Sequence, residues 1–402
     1  MKNELHPKVS IVIPVFNGAN YMRSAIHSAL SQTYDNCEVI VVNDGSTDGG
    51  ATDSIAKSYG KKIRYFSKEN GGVSTAVNLG IKEMSGDYFA WLSHDDYFTK
   101  DKIAKQIKEA LERNNDRAII HSNFSFLHTD TDTFQKVNWL DSYSKEQLET
   151  GAFAPVFLAI HGSTLLIHRS HFERVGLYNP KLKATQDSEF LFRVMRGQKS
   201  VFVPYDLMVS RIHNEQGQKT MTCHAPEYNA MFLKFCEQLT DLEKIEMCGS
   251  VKNFYYRLYL LLKGSRPAKE ILPYLVDKIK NTVSPNNDDK MFKSELLIKM
   301  SHQDIYIFGA GQIGKEMKTL LSDYGIEIKA FIDNDIEKQG DDIDGVPCIS
   351  LKEAEQKSII VLSVMNSDDI KNQLEMNRYK NVVMYTQIRK ELFYILPENI
   401  TI

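Results

Sequence analysis

Two carboxylates, Asp95 and Asp96, stand side by side directly after an apolar run in the stretch Asp87-Tyr88-Phe89-Ala90-Trp91-Leu92-Ser93-His94-Asp95-Asp96. Adjacent carboxylates repel unless water or a shared cation screens them. Paired hard oxygen donors suit Mg2+ or Mn2+. The same pair could cap a helix, because Thr99-Lys100-Asp101 opens an amphipathic stretch just downstream. Taken locally, the metal site and the helix cap both stand. Residues of similar chemistry elsewhere decide between them: Asn17 and Asp44 upstream, Asp187, Arg211 and His213 downstream.

These residues need elements to hold them. Val9 to Pro14 is a β-branched run closed by proline and reads as a buried strand. Glu38 to Val42 is a second strand and leads into Asn43-Asp44-Gly45-Ser46-Thr47-Asp48. Ile63 to Phe66 is a third, and the run before the acidic pair is a fourth. Helical spacing fills the gaps over Tyr21–Gln32, Asp53–Tyr59 and Val73–Met84. Alternating strands and helices predict an α/β fold with a parallel doubly wound sheet. In such a sheet Asn17, Asp44 and Asp95-Asp96 all lie at strand carboxyl ends and face one crevice. That convergence favours a site for a polar ligand with a metal.

The segments Pro14-Val15-Phe16-Asn17, Val41-Val42-Asn43-Asp44-Gly45-Ser46-Thr47-Asp48, Asn70-Gly71-Gly72, Asn78-Leu79-Gly80-Ile81, Gly86-Asp87-Tyr88 and Leu92-Ser93-His94-Asp95-Asp96 follow one another in an order that resembles the family 2 glycosyltransferases of GT-A fold. The resemblance implies inverting transfer of a sugar from a UDP- or GDP-linked donor. It implies contacts to the donor from Pro14, Asn17, Asp44 (to the nucleobase) and Asn78. It gives Asp96 to the metal, Mn2+ or Mg2+, and Asp95 to the donor ribose or sugar. The chain departs from the family pattern at Asn43, Val77 and Ser93. Val77 stands where an arginine is frequent, and Lys68 or Arg64 is the available substitute for its charge.

Further along, Asp130–Tyr143 reads as an irregular acceptor-side loop, and His161–Ile167 as a strand entered by the small residues Gly162 and Ser163. Small residues let a ligand approach the backbone closely, and the family has a similar stretch beside the donor sugar. Asp187 and Glu189 open a helix, where the dipole favours negative charge. By resemblance Asp187 is also the general base that takes the acceptor proton, with Glu189 assisting or binding acceptor. Val201–Pro204 reads as an edge strand. Arg211 and His213 resemble the late segment that closes over the diphosphate, Arg211 offsetting phosphate charge and His213 reaching the metal.

The second half has another character. Residues 226–300 read as a helical connector between a 1–225 transferase domain and a 301–402 domain. The aromatic helix Asn253–Leu262 suits burial between domains or, less well, a membrane surface beside a lipid-linked acceptor. The run Ser284–Asp289 reads as a linker. Strand 304–308, Gly309-Ala310-Gly311-Gln312-Ile313-Gly314, a helix, a strand over 326–332 and Asp333 give a Rossmann-like arrangement. Gly309, Gly311, Gly314 and Asp333 are its candidate nucleotide contacts, and an NAD(P)-dependent oxidoreductase or a nucleotide-binding scaffold is the alternative function. This region resembles the small domain at the front of bacterial sugar acyltransferases.

A net charge of −3 gives no reason to expect nucleic acid. Five scattered cysteines argue against a disulfide framework and for a reducing, cytoplasmic setting, at the inner membrane face if the acceptor is lipid-linked. No apolar run approaches the roughly 20 residues that span a bilayer. The expected partners are a nucleotide-sugar donor and a glycan or lipid-linked acceptor of a bacterial surface polysaccharide.

Overall fold

The computed structural model describes residues 6–214, 222–283, 295–364 and 368–397. The expected linker 284–289 lies outside them. Contacts divide the chain into two units, Met1–Thr240 with Leu261–Leu272, and Asp241–Leu260 with Pro273–Ile402.

The first unit is an α/β layer structure. Its strands are β1 (Val9–Val15), β2 (Cys37–Asn43), β3 (Arg64–Ser67), β4 (Tyr88–Trp91), β5 (Tyr97–Phe98), β6 (Ile119–His128), β7 (Thr133–Val137), β8 (Leu166–His168) and β9 (Val201–Ile212). They form one sheet in the order β3-β2-β1-β4-β8-β6-β9-β5, with β7 paired to β6. Both faces of β1 are buried: Val9, Ile11, Ile13 and Val15 join one core, and Val12 joins the other. That explains its unbroken apolar run. The helix Val73–Glu83 lies close on this strand, since a Cβ at Gly80 would fall 2.3 Å from Val12.

The sheet is mixed, not wholly parallel. β1 to β4 pair in parallel, but β8 runs antiparallel to both β4 and β6. Parallel pairing needs a long crossover. After β4 only the acidic turn separates it from β5, which pairs antiparallel with β9. Three local expectations change as well. Residues 133–137 form a hairpin strand on β6, not an irregular loop. Residues 162–164 form a 3-10 turn, and the strand begins only at Leu166. β9 is twelve residues long and lies between β6 and β5, so it is no edge. Pro204 survives there because the β6–β9 register jumps from Ser122↔Val203 to Asn123↔Asp206, leaving Pro204 in a bulge where no ladder N–H is needed.

One buried charge supports the site from below. Lys102 is fully buried, and its Nζ donates to Gln106 Oε1 (2.8 Å) and to the Leu165 carbonyl (3.3 Å). Burial pushes its pKa down to about 7. The unfolded chain therefore binds this proton more readily than the folded one between about 7 and the ordinary 10.5, so folding stability rises with pH across that window. Lys102→Met is expected to stabilise the protein at pH 6 by about 1–4 kcal/mol. The gain shrinks as the pH is raised toward 9, which thermal unfolding at both pH values measures.

The second unit contains a smaller sheet of β10 (Ile305–Phe308), β11 (Ala330–Ile332), β12 (Asp342–Ile343), β13 (Val346–Ile349), β14 (Ile359–Leu362) and β15 (Val382–Met384), ordered β12-β13-β11-β10-β14-β15. All pairs are parallel except β12–β13. β11 is shorter than expected and starts at Ala330. In the helix Val251–Leu262, Phe254, Tyr255, Tyr256 and Leu258 are buried. Arg257 of that helix donates to the carbonyls of Leu392, Phe393 and Ile395 within the unit. Among the described residues no helix is long and apolar enough to cross a membrane.

Candidate active site

The turns after β1 and β2 are laced together. Asn17 adopts φ +49°, a left-handed conformation that asparagine tolerates. Its N–H donates to Ser46 Oγ (2.9 Å), and its Oδ1 accepts the Thr47 N–H (2.8 Å). Pro14 lies inside β1, paired with Val42. Asp44 is buried, and its Oδ1 accepts from Lys68 Nζ (2.6 Å) and the Gly71 N–H (3.1 Å). Its Oδ2 accepts the Gly72 N–H (2.7 Å). Gly72 has φ +89°, which glycine adopts without strain.

Lys68 also donates to Glu69 O and Thr75 Oγ1, so it is spent on fixing Asp44 and its loop. Arg64 is held by Glu38 (3.1 Å) and Glu83 (3.4 Å). The substitute cations expected for the missing arginine are therefore both engaged. A further cation lies beside the glycines: Lys183 Nζ donates to the Gly71 carbonyl at 3.3 Å. Its sequence context carried no signal, because the contact spans 112 positions.

Asn78 is engaged at both ends of its amide. Nδ2 donates to the Tyr178 carbonyl (2.8 Å), and Oδ1 accepts the Tyr178 N–H (3.0 Å). Tyr178 in turn packs edge-on against Trp91 and stacks on Phe190. Asn78 thus holds the Tyr178 backbone in place. Asn78→Ala should cost about 1–3 kcal/mol in chemical unfolding and leave donor affinity unchanged by titration.

The acidic turn after β4 meets the end of β9. Asp95 Oδ2 and His213 Nε2 are 3.2 Å apart. Asp96 is buried. Its Oδ1 accepts the Arg211 backbone N–H at 3.0 Å, and its Oδ2 lies 3.5 Å from Ser163 Oγ. The β5–β9 register, Tyr97 opposite Val209, brings these residues together. Burial first, and the Asp95 carboxylate second, raise the Asp96 pKa well above the usual carboxylate range. The Arg211 guanidinium bonds the Asp95 carbonyl (2.5 Å) and Ser24 Oγ (2.9 Å), between the rings of Tyr97 and Tyr21. It braces the turn. The sequence reading joined His213 to Asp96, whereas the structure joins it to Asp95.

A divalent ion fits this turn in one way. Among the described residues no group of three or more His, Cys, Asp and Glu side chains is assembled for a metal. Asp95 and His213 nevertheless offer two donors 3.2 Å apart, and His213 Nδ1 is buried with no partner. Mg2+ and Mn2+ are commonly held by one or two protein groups with substrate phosphates completing the shell. The donor set therefore suits an ion shared with a phosphate-bearing ligand.

Gly162 and Ser163 connect this turn to Asp187. Ser163 Oγ is the group beside Asp96, and a Cβ added at Gly162 would sit 3.8 Å from the Trp91 ring and 3.9 Å from Asp187 Oδ2. His161 orients the turn by accepting the Ser163 N–H at its Nδ1 (3.2 Å). Burial pushes the His161 pKa down to about 4, which keeps the ring neutral and able to accept. From beneath, Gln106 donates to the Thr164 carbonyl (2.7 Å). Asp187 opens the helix Gln186–Met195, its Oδ1 accepting the Ser188 N–H (2.8 Å). Burial raises its pKa above the ordinary carboxylate value. Glu189 points elsewhere and is occupied by Arg193 (2.9 Å) and Lys234 (3.1 Å), so it is an ion-pair centre and not the assisting acid expected.

In the second unit Gly309 has φ +106°, and a Cβ at Gly314 would fall 2.0 Å from the Gly309 carbonyl oxygen. Gly311 precedes the helix Gln312–Asp323 and has open space around it. Asp333 follows β11 as expected. Its carboxylate already accepts from the Ala310 N–H (3.0 Å), the Asp335 N–H (3.0 Å) and Lys338 Nζ (3.2 Å).

Comparison with known proteins agrees with the first unit. The profile of glycosyl transferase family 2 matches residues 10–176. A second profile, described as C2185-like, N-terminal, matches residues 301–393. An uncharacterized glycosyltransferase of Rickettsia typhi is 42% identical over 263 residues, covering 65% of this chain and 82% of that one. One of Rickettsia bellii is 44% identical over 265 residues, covering 66% of this chain and 38% of the other. The chain thus spans about two fifths of the length of the longer curated relatives it matches. A solved mannosyltransferase of Pyrobaculum calidifontis, in complex with GDP-Man and Mn2+, aligns with TM-score 0.49 at 16% identity over 70% of this chain and 78% of that one. The chain belongs to glycosyl transferase family 2.

Proposed function

We propose that this protein transfers a sugar, with inversion, from a UDP- or GDP-linked donor to a glycan or lipid-linked glycan of a bacterial surface polysaccharide, with a divalent cation. One observation carries the reading. The Gly162–Ser163 turn has the Asp95–Asp96 acids at one end and the Asp187 carboxylate at the other, with no side chain at Gly162 to fill the space between.

In this reading the turns of Asn17 and Asp44 bind the nucleoside end of the donor. Asp95 and His213 would hold Mn2+ or Mg2+, and the ion would supply positive charge beside the departing diphosphate. Asp96 and Arg211 keep Asp95 in place. The Asp187 carboxylate takes the proton of the acceptor hydroxyl as that oxygen attacks the anomeric carbon. The bond from that carbon to the diphosphate oxygen breaks, and the nucleoside diphosphate leaves with the electron pair. Attack opposite the leaving group inverts the carbon, and Asp187 ends protonated. The raised pKa of Asp187 makes it a stronger base than a solvated carboxylate.

A ligand that binds only the folded state stabilises it, by about 2.7 kcal/mol at a hundredfold excess over its Kd. Heating the protein with a panel of UDP- and GDP-sugars plus Mn2+ should therefore single out a donor by its upward shift in unfolding temperature. No shift with any nucleoside-diphosphate sugar, with Mn2+ or Mg2+, would overturn the reading.

A further inference from the structure

The helix Gln186–Met195 has no N-cap of its own. Thr185 precedes it, yet no side-chain hydrogen bond from Thr185 closes the first turn. Local chemistry therefore leaves the entry of this helix undetermined. The restraint comes from another element. Glu227, in the first turn of the helix His224–Gln238, turns its carboxylate onto the backbone just before Gln186. It accepts the N–H groups of Lys183 (3.0 Å), Ala184 (2.9 Å) and Thr185 (3.2 Å), and faces Thr185 Oγ1 at 3.3 Å. Three successive amides converge on one carboxylate, two to four residues before Asp187.

The two helices are tied again further along. Lys234, from the helix that carries Glu227, bonds Glu189, which also holds Arg193. Arg193 anchors its guanidinium on the carbonyls of Val175 (2.6 Å) and Leu177 (2.9 Å). The helix of Asp187 is thus fixed along its length by ion pairs and at its entry by Glu227. Burial works against the Glu227 charge, but the N–H groups of Ala184, Lys183 and Thr185 outweigh it and hold its pKa below the usual range. Glu227 stays an acceptor throughout the neutral range.

We infer that Glu227 is a positioning residue for Asp187: its carboxylate gathers the 183–185 backbone and so sets where the Asp187 carboxylate stands relative to Gly162. The inference rests on Asp187 being the base. Glu227 acts on Asp187 through the backbone of residues 183–185. Its loss moves the base, and reaches the Asp44 turn indirectly through Lys183, whose Nζ bonds the Gly71 carbonyl. The contact joins residues more than forty positions apart, so neither stretch of sequence announces it.

The test compares Asp187→Asn, Glu227→Ala and Glu227→Gln in the full chain, following kcat and donor KM for turnover of the donor identified by thermal shift. Displacing a reacting group by about 1 Å can cost on the order of 10²-fold. Glu227→Ala should therefore lower kcat by about 10- to 100-fold with a much smaller change in donor KM. Glu227→Gln, whose amide oxygen still accepts part of the set, should recover much of the loss. Wild-type kcat in Glu227→Ala, with Asp187→Asn inactive, overturns the role of Glu227 and leaves the base in place. Wild-type kcat in Asp187→Asn overturns the base itself, and the inference with it. If Glu227→Ala does not fold, Glu227→Gln carries the test: a kcat lowered a few-fold, with a smaller change in KM, supports the role, and full wild-type kcat refutes it.

Discussion

Asp187→Asn is expected to lower turnover by about 10²–10⁴-fold while leaving donor affinity unchanged, the range associated with loss of a general base. Asparagine keeps the shape and still accepts the Ser188 N–H, so the helix entry survives and only the proton acceptor is lost. The wild-type pH profile adds a second signature. Burial raises the Asp187 pKa, and a protonated carboxyl cannot take the acceptor proton. As the pH falls through that raised value, kcat falls with it. The acid limb should lie above the range of a solvated carboxylate, and it should be absent from the residual rate of Asp187→Asn. A variant with normal kcat would move the base to another residue.

Asp95→Asn should act at the other end of the Gly162–Ser163 turn and lower donor affinity as well as turnover. Removing its charge weakens the cation beside the donor diphosphate, and with it several kcal/mol of charge stabilisation, about 10³-fold in rate. Donor affinity falls too, and so does the response to added Mn2+, both read by titration. Asp96→Asn should be milder. The amide oxygen of the introduced asparagine still accepts the Arg211 N–H, and the Asp95–His213 pair remains. The order of severity, Asp95 above Asp96, reverses the assignment made from the sequence. Loss of the Mn2+ response in Asp96→Asn alone would restore that earlier assignment.

Much of the first unit was legible because strand ends carry local signals. Apolar runs that stop at Pro14, Asn43-Asp44 and Ser93–Asp96 marked the ends of three strands that lie side by side and parallel in the sheet. The closing half was less legible, for physical reasons. β8 joins antiparallel because the chain doubles back after β4, and short β strands leave no period to read. Asn78 and Tyr178 meet across 100 positions, and Arg211 reaches Ser24 across 187. Lys68 looked like a free cation in sequence, but Asp44 had to be neutralised once buried. Glu189 shared its helix turn with Asp187, and only the positions of Arg193 and Lys234 distinguish the ion-pair acid from the one beside Gly162. In the second unit the glycine spacing located the tight turn at Gly309 correctly, while the three donors converging on Asp333 were invisible to it.

The central claim is a single displacement at the anomeric carbon, with Asp187 on one side and the diphosphate on the other. Donor hydrolysis tests this without knowledge of the acceptor, since water can take the acceptor's place. Proton NMR of the sugar first released, recorded before mutarotation, reports its anomeric configuration. The configuration opposite to that of the donor is expected, β from an α-linked donor or α from a β-linked one. Release with the donor's own configuration would mean two displacements or front-side attack, and would contradict it.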